Sequence, residues 1–422
     1  MKKTRWIALL MAAVLLFSAV GTAVAEEKVH LTFWHIWPDG AMNEICNKYV
    51  ELYMAEHPNV EVEAVATQEI EYQNTKLKVA VSSKSQGDVF MSWGGGYAKT
   101  FVDAGAVLKL NDYLEANKVY DDMLDGVLTY ATYGDGVYGL PLKQWAGVLF
   151  CNTELFEKYG VKIPETWDEL MTAVETFRAA DVTPMVLGAK DGWHIGMIQN
   201  ALAVRTAGPD YVNQALAGEA TLDTPEIVRS AQLLVDLNNA GAFVKGTMGI
   251  GADEAQEEFY MGLVPMYYGG SWVASGCDNE ENELQGKVKV VPMPTVEGGK
   301  GDATTYSGGV IDMMMINSAT KNPDVAFDFA LGLTKYMSEE CYKLGDSLPA
   351  WKLDNVDESE VSPTLIAVRQ LIQNATGYVL AWDTFLSGAA IDAHYQLLQA
   401  LIAGTVTPEE FATQMQAAVA AE

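Results

Sequence analysis

The chain has 422 residues, 49% of them hydrophobic and 20% charged, a composition that excludes a disordered chain. Its formal charge of −29 comes from 56 acidic residues set against 27 basic ones. Such a surface repels phosphate backbones, so no nucleic-acid partner is expected. The scarce arginines (Arg5, Arg178, Arg205, Arg229 and Arg369) also argue against a multi-phosphate ligand.

Residues 1–25 read as a secretory signal. Lys2, Lys3 and Arg5 precede an apolar run from Trp6 to Phe17, and Ala23-Val24-Ala25 is a small-x-small cleavage site. Cleavage after Ala25 removes three basic and no acidic residues, so the mature chain is more acidic still. The apolar run is short for a membrane span, and no cysteine adjoins the site to carry a lipid. An exported protein, periplasmic or secreted, is expected.

The rest is too long for one simple core and predicts two lobes. Val29 to Trp34 alternates as a strand and turns at Pro38-Asp39-Gly40. Ile45, Tyr49, Leu52 and Tyr53 recur at helical spacing, Val60 to Val65 alternates again, and a polar helix is predicted around 72–82. Asp88 to Trp93 reads as a buried strand ending in Gly94-Gly95-Gly96. This βαβα order predicts an open α/β sheet covered by helices. Later helix starts are marked by the capping box Thr166 to Glu169 and by Pro225, Pro323 and Pro408 at first helical positions. The Gly-rich stretch 296–309 is the predicted linker between lobes. Cys46, Cys151, Cys277 and Cys341 lack CxxC or zinc-like spacing and are expected to be buried thiols, one or two disulfides being the alternative.

Motifs that carry catalysis are mostly missing. The sequence has no GxSxG, HExxH, Walker A or GxGxxG, and the five histidines form no metal spacing, so neither cofactor nor metal is expected. Tryptophan placement is more informative. Trp34, Trp37, Trp93, Trp145, Trp193, Trp272, Trp351 and Trp382 all lie in or beside turn-like sequence; Trp167 sits at a helix start. Aromatic rings at strand ends beside glycines predict a ligand cleft, since open α/β sheets bind ligands outside the carboxyl ends of their strands. Flat rings suit the C–H faces of sugars, and neighbouring acids and amides suit their hydroxyls.

Longer strings carry a resemblance. They are Val137-Tyr138-Gly139-Leu140-Pro141, the run from Gly147 to Gly160 centred on Asn152-Thr153-Glu154-Leu155-Phe156, and Ile163-Pro164-Glu165-Thr166-Trp167-Asp168-Glu169-Leu170. With Gly87 to Trp93, Asp103 to Leu114, Met266 to Trp272, Pro292 to Pro294 and Asn322 to Ala326 in the same order, the chain resembles the extracellular solute-binding proteins of ABC importers. The similar branch is the one that binds sugars and includes maltose-binding protein. The resemblance implies a two-lobed type II periplasmic-binding-protein fold, with the ligand between lobes joined by hinge strands that cross more than once. Lobe one is then expected at 26–140 plus 307–345 and lobe two at 141–306 plus 346–422. The turn Tyr138 to Pro141 and Gly308-Gly309 fall at hinge positions.

By the same resemblance the ligand site comprises Trp37, Asp39, Glu69, Trp93 and Gly94 from lobe one, and Lys143, Gln144 and Trp145 after the first crossing. Trp193, His194, Ser271 and Trp272 come from lobe two. Tyr306, Ser307 and Gly308 adjoin the second crossing, and Trp351 and Trp382 are its late aromatic stackers. The implied function is that of a monomeric, non-enzymatic protein that binds a carbohydrate, an oligosaccharide in view of the many tryptophans, and delivers it by lobe closure to the membrane permease of an ABC importer. Two alternatives stay open: the same fold binding a cationic ligand such as a polyamine, and a secreted glycosidase using a carboxylate pair.

Overall fold

The computed structural model describes residues 28–353, 356–386 and 388–421. The expected signal segment 1–25 lies outside them. Apart from a short hairpin of Thr132–Tyr133 with Gly136–Val137, the strands in chain order are β1 (Val29–His35), β2 (Val60–Ala66), β3 (Val89–Trp93), β4 (Leu140–Pro141), β5 (Lys143–Asn152) and β6 (Met266–Gly270). They continue with β7 (Val288–Val291), β8 (Thr305–Gly309), β9 (Asp312–Ile316), β10 (Leu348–Pro349) and β11 (Gly377–Val379). The helices needed below are α1 (Gly40–Glu56), α2 (Gly192–Ala207), α3 (Pro323–Lys343) and α4 (Gly388–Ile402). Among the described residues no helix is long and apolar enough to cross a membrane.

Two sheets make two lobes. The first has the order β2-β1-β3-β9-β4, with β1, β2 and β3 parallel and β9 antiparallel to both its neighbours. The predicted alternation holds in β1: Leu31 and Phe33 point into the core while His30 is exposed. The second sheet has the path β10-β5-β8-β11, and β6 and β7 pair with the far end of β5.

Local signals explain where helices begin. The Thr166 hydroxyl accepts the Glu169 amide, Thr224 accepts that of Ile227, and Thr407 with Glu410 forms a reciprocal capping box. Asn322 makes no side-chain cap, and there Pro323 alone marks the start. Helix α2 is buried nearly all round, which its apolar sequence with Gly196, Ala201 and Ala203 permits. Its Arg205 is buried too, and its guanidinium donates to the carbonyls of Met293 (2.8 Å) and Thr305 (2.6 Å) and to the Thr305 hydroxyl (2.9 Å). This arginine ties α2 to the sheet.

Among the described residues the chain passes between the lobes at 141–143, at 309–312 and a third time after α3, where Leu348 and Pro349 pair with β5 and Trp351 returns to lobe one before Val361 and Leu365 join lobe two. The second crossing corrects the predicted linker. Residues 296–301 pack tightly in lobe two: a Cβ at Gly299 would come within 2.3 Å of the Arg205 carbonyl, and one at Gly301 within 2.1 Å of that of Val204. Strand β8, including Ser307 and Gly308, pairs with β5 and β11 in the second sheet, whereas those residues were expected in lobe one. The third crossing is similarly displaced. Leu348 pairs with Gln144, but Ala350 and Trp351 then enter the core of lobe one, and the Trp351 indole donates to the Pro141 carbonyl at 2.8 Å. Tyr130 links the lobes directly. Its hydroxyl lies 2.9 Å from Asn213 Oδ1 and accepts the Leu380 amide, also at 2.9 Å.

Candidate functional site

Strand direction decides which residues meet. β1, β2 and β3 all run toward lobe two, as the pairing of Trp93 with Asp312 just after the second crossing shows. Their carboxyl ends therefore present Trp37, Asp39, Glu69 and Trp93 along one edge. β5 runs away from lobe one, and β6 is antiparallel to it with Gly270 opposite Gly147, so Trp145 and the Ser271-Trp272 turn lie at the facing edge. The segment ending in Gly188 runs parallel to β6 through the Met185–Met266 bridge, which carries the N-terminus of α2 and Trp193 to the same edge.

Lobe two's edge holds an aromatic group that water reaches. Trp272 is 40% exposed, and Trp145 and Trp193 are half-buried. A cavity of 1030 Å³ lies between lobe-one residues Glu69, Gln73, Trp93 and Tyr97 and lobe-two residues Asp383 and Phe385. The Trp93 and Tyr97 rings meet edge to face at 5.3 Å, and the Tyr97 hydroxyl donates to the Gln73 carbonyl at 2.8 Å. That carbonyl belongs to a widened helical turn, Tyr72–Lys76, whose irregular ladder leaves it free to accept.

A charged cluster lies beside the first two crossings. Lys143 pairs with Asp346 at 2.9 Å. Burial works against the Lys143 ammonium, but Asp312 and Asp346 together hold its pKa above the ordinary lysine value. Burial raises the Asp312 carboxyl; Lys143 opposes this while Glu69 and Asp346 add to it. Of these charged groups only Glu69 lines the cavity.

Several expected site residues have other roles. Gln144 is buried and donates through Nε2 to the Pro349 carbonyl at 2.7 Å, which fastens the third crossing. His194 is fully buried: Nδ1 accepts the Gly188 amide at 3.0 Å and Nε2 faces the Tyr268 carbonyl at 3.2 Å. Trp351 is core to lobe one. Trp382 is core to lobe two and stacks on His394 with centroids 5.1 Å apart. Tyr306 is buried on the far face of the second sheet, its hydroxyl donating to the Leu371 carbonyl at 3.3 Å. Ser307 and Ser271 are buried, and neither hydroxyl finds a protein partner. Gly94 and Gly308 act through their backbones: a Cβ at Gly94 would meet Met313 and the Tyr130 carbonyl at 2.4 Å, and Gly308 has φ +139°.

Sequence reasoning missed the cavity residues Tyr97, Asp383 and Phe385 and the Lys143 neighbours Asp312 and Asp346. Asp312 lies three residues past the glycines placed at the hinge. Asp383 directly follows Trp382; its Oδ2 accepts the Tyr395 hydroxyl at 2.7 Å, and its Oδ1 has no protein partner. The signal was local: Tyr97 lies four residues after the predicted Trp93, and Asp383 and Phe385 follow the predicted Trp382.

With this geometry in view, residues 39–338 match the family described as bacterial extracellular solute-binding protein. A solved structure from work on xylan utilization by the thermophilic bacterium Caldanaerobius polysaccharolyticus is 39% identical, covers 92% of this chain and 99% of its own, and superposes with a TM-score of 0.76. A solved chitin oligosaccharide binding protein is 26% identical over 93% of this chain and 98% of its own, with a TM-score of 0.74. The multiple sugar-binding protein of Streptococcus mutans is 23% identical over 358 residues, covering 80% of this chain and 78% of its own. The chain belongs to the bacterial extracellular solute-binding proteins and has their two-lobed α/β type II fold.

Proposed function

We propose that this protein binds an oligosaccharide between its lobes and hands it to the membrane permease of an ABC importer when the lobes close, acting as a monomer and without catalysis. The observation that carries the reading is the water-accessible group Trp145, Trp193 and Trp272 at the edge of lobe two, together with a cavity between the lobes lined by Glu69, Trp93, Tyr97 and Asp383. Rings of this kind cover the apolar faces of pyranoses, while carboxylates accept their hydroxyl protons. The named specificities of relatives support the carbohydrate class: chitin oligosaccharide, multiple sugars and, for a Halalkalibacterium halodurans protein 28% identical over 234 residues, arabinooligosaccharide. Closure fits three crossings with glycine backbone at the second, because a ligand that touches both lobes stabilises the closed state.

Titration calorimetry of the purified protein against xylo-, arabino- and chito-oligosaccharides of increasing length tests this. Binding that strengthens with ring number and then levels off is the expected result; silence across all three series would remove the carbohydrate reading. The cluster Glu69, Asp312 and Asp346, with Lys143 as the one ammonium among them, favours a second reading, a polyamine ligand. Salt separates the two: sugar affinity holds constant as ionic strength rises, whereas polyamine affinity falls steeply.

A further inference from the structure

Helices α1 and α3 pack against each other in lobe one and bring four sulfur-bearing side chains into two contacting pairs. Met42 and Cys46 are four residues apart on α1, and Met337 and Cys341 are four apart on α3, so each helix shows one thioether and one thiol on the same face. The contacts are crossed: Cys46 Sγ lies 3.7 Å from Met337 Sδ, and Cys341 Sγ lies 3.3 Å from Met42 Sδ. Cys46, Met337 and Cys341 are fully buried, and Met42, in the first turn of α1 beyond the cleft loop, is half-buried.

We propose that Met42, Cys46, Met337 and Cys341 form a binding site for a soft monovalent metal ion, Cu(I) or Ag(I). A metal–sulfur bond of about 2.3 Å in tetrahedral geometry puts neighbouring sulfurs about 3.8 Å apart. The Cys46–Met337 contact already has that spacing, and the Cys341–Met42 contact needs a small opening. Thiolate and thioether donors select Cu(I) over the harder divalent ions that prefer oxygen or imidazole. Ordinary packing explains sulfur in a core, but not two helices each placing one Met and one Cys a turn apart and meeting in crossed register.

The binding step is an exchange of protons for metal. The S–H bonds of Cys46 and Cys341 break, each sulfur gives its electron pair to Cu(I), and two protons leave to solvent; copper supplied as Cu(I) requires no redox partner. The bound site carries one net negative charge. Burial raises both thiols and holds them protonated in the metal-free protein; around Cys341, Lys143 opposes this while Asp346, Asp312 and Glu340 add to it. The half-exposed Met42 provides the route in.

The test is anaerobic titration of the reduced, metal-free protein with Cu(I) buffered by bicinchoninate. The site predicts withdrawal of one Cu(I) per chain from the chelator, release of two protons, and an ultraviolet thiolate-to-copper absorption. Cys46→Ser and Cys341→Ser each abolish the absorption. Met42→Leu, which keeps the packing volume, lowers affinity about tenfold or more, and Cys151→Ser and Cys277→Ser change nothing. Met42→Leu with Met337→Leu serves as the second test should a serine variant fail to fold. The assignment is overturned if the protein leaves copper on the chelator or if the Cys46→Ser/Cys341→Ser double variant binds as the wild type does. Tighter binding of Zn(II) than of Cu(I), or exposure to copper yielding only a Cys46–Cys341 disulfide with no retained metal, overturns it as well.

Discussion

The ring centroids of Trp145 and Trp272 stand 5.5 Å apart, with their planes inclined at 51°. One ring is near the start of β5, and the other lies two residues past the end of β6, the antiparallel partner that brings them together. Neighbouring rings tilted in this way give a ligand with more than one sugar ring two surfaces to rest on.

Truncation of these rings is expected to affect binding and leave folding intact. Trp272→Ala and Trp145→Ala should each weaken oligosaccharide binding by about 1.4 kcal/mol, or about tenfold in Kd. Because Trp272 is 40% exposed, Trp272→Ala should shift stability by no more than about 0.5 kcal/mol. Calorimetry and urea melts check both; unchanged affinity in the two variants would take the site away from this edge.

Trp351→Ala and Trp382→Ala should behave in the opposite way. Both rings are buried in lobe cores, so each truncation is expected to cost about 3–5 kcal/mol of unfolding free energy. Trp351→Ala also frees the Pro141 carbonyl at the first crossing. A urea midpoint close to wild type in either variant would contradict the core placement.

Two buried histidines predict acid sensitivity. Burial lowers His194 to about 4, against weaker opposing effects of the Tyr268 carbonyl and Asp191, and lowers His394 to about 3. In the unfolded chain both titrate near 6.5. The unfolded state therefore binds more protons below that pH, and stability present above pH ~6.5 is lost as pH falls toward the folded values. Between pH 7 and pH 5 each histidine should cost about 2 kcal/mol. Asp312 and Asp383, whose carboxyls burial raises, act with the opposite sign. The measurement is thus a comparison of slopes: His394→Leu should lose about 2 kcal/mol less than wild type over that interval, and parallel pH profiles would refute it.

Gly308 is expected to tolerate no side chain. Its φ is +139°, and a Cβ there would lie 2.2 Å from the Trp145 carbonyl. Gly308→Ala should cost about 1–3 kcal/mol and distort the second crossing. Small-angle scattering with and without sugar would report the changed closure; wild-type stability together with wild-type closure would count against this account.

The sequence by itself determined the alternating strands β1 and β2, the helix starts at Thr166, Pro225 and Pro408, and the two-lobed α/β class. Those depend on period and on local hydrogen bonding, which neighbouring residues specify. It also determined the aromatic wealth of the strand ends. Tertiary structure alone decided which tryptophans face water. Trp382 and Trp351 sit in equally turn-like sequence, yet one is covered by α4 and the other is drawn across the third crossing into lobe one. The charged cluster was decided in the same way: Lys143, Asp312 and Asp346 are far apart in sequence and meet beside the crossings. The pairing of Met42 with Cys341 and of Cys46 with Met337 depends on the register between α1 and α3. Burial and charge proximity are properties of packed elements, and no window of local sequence contains them.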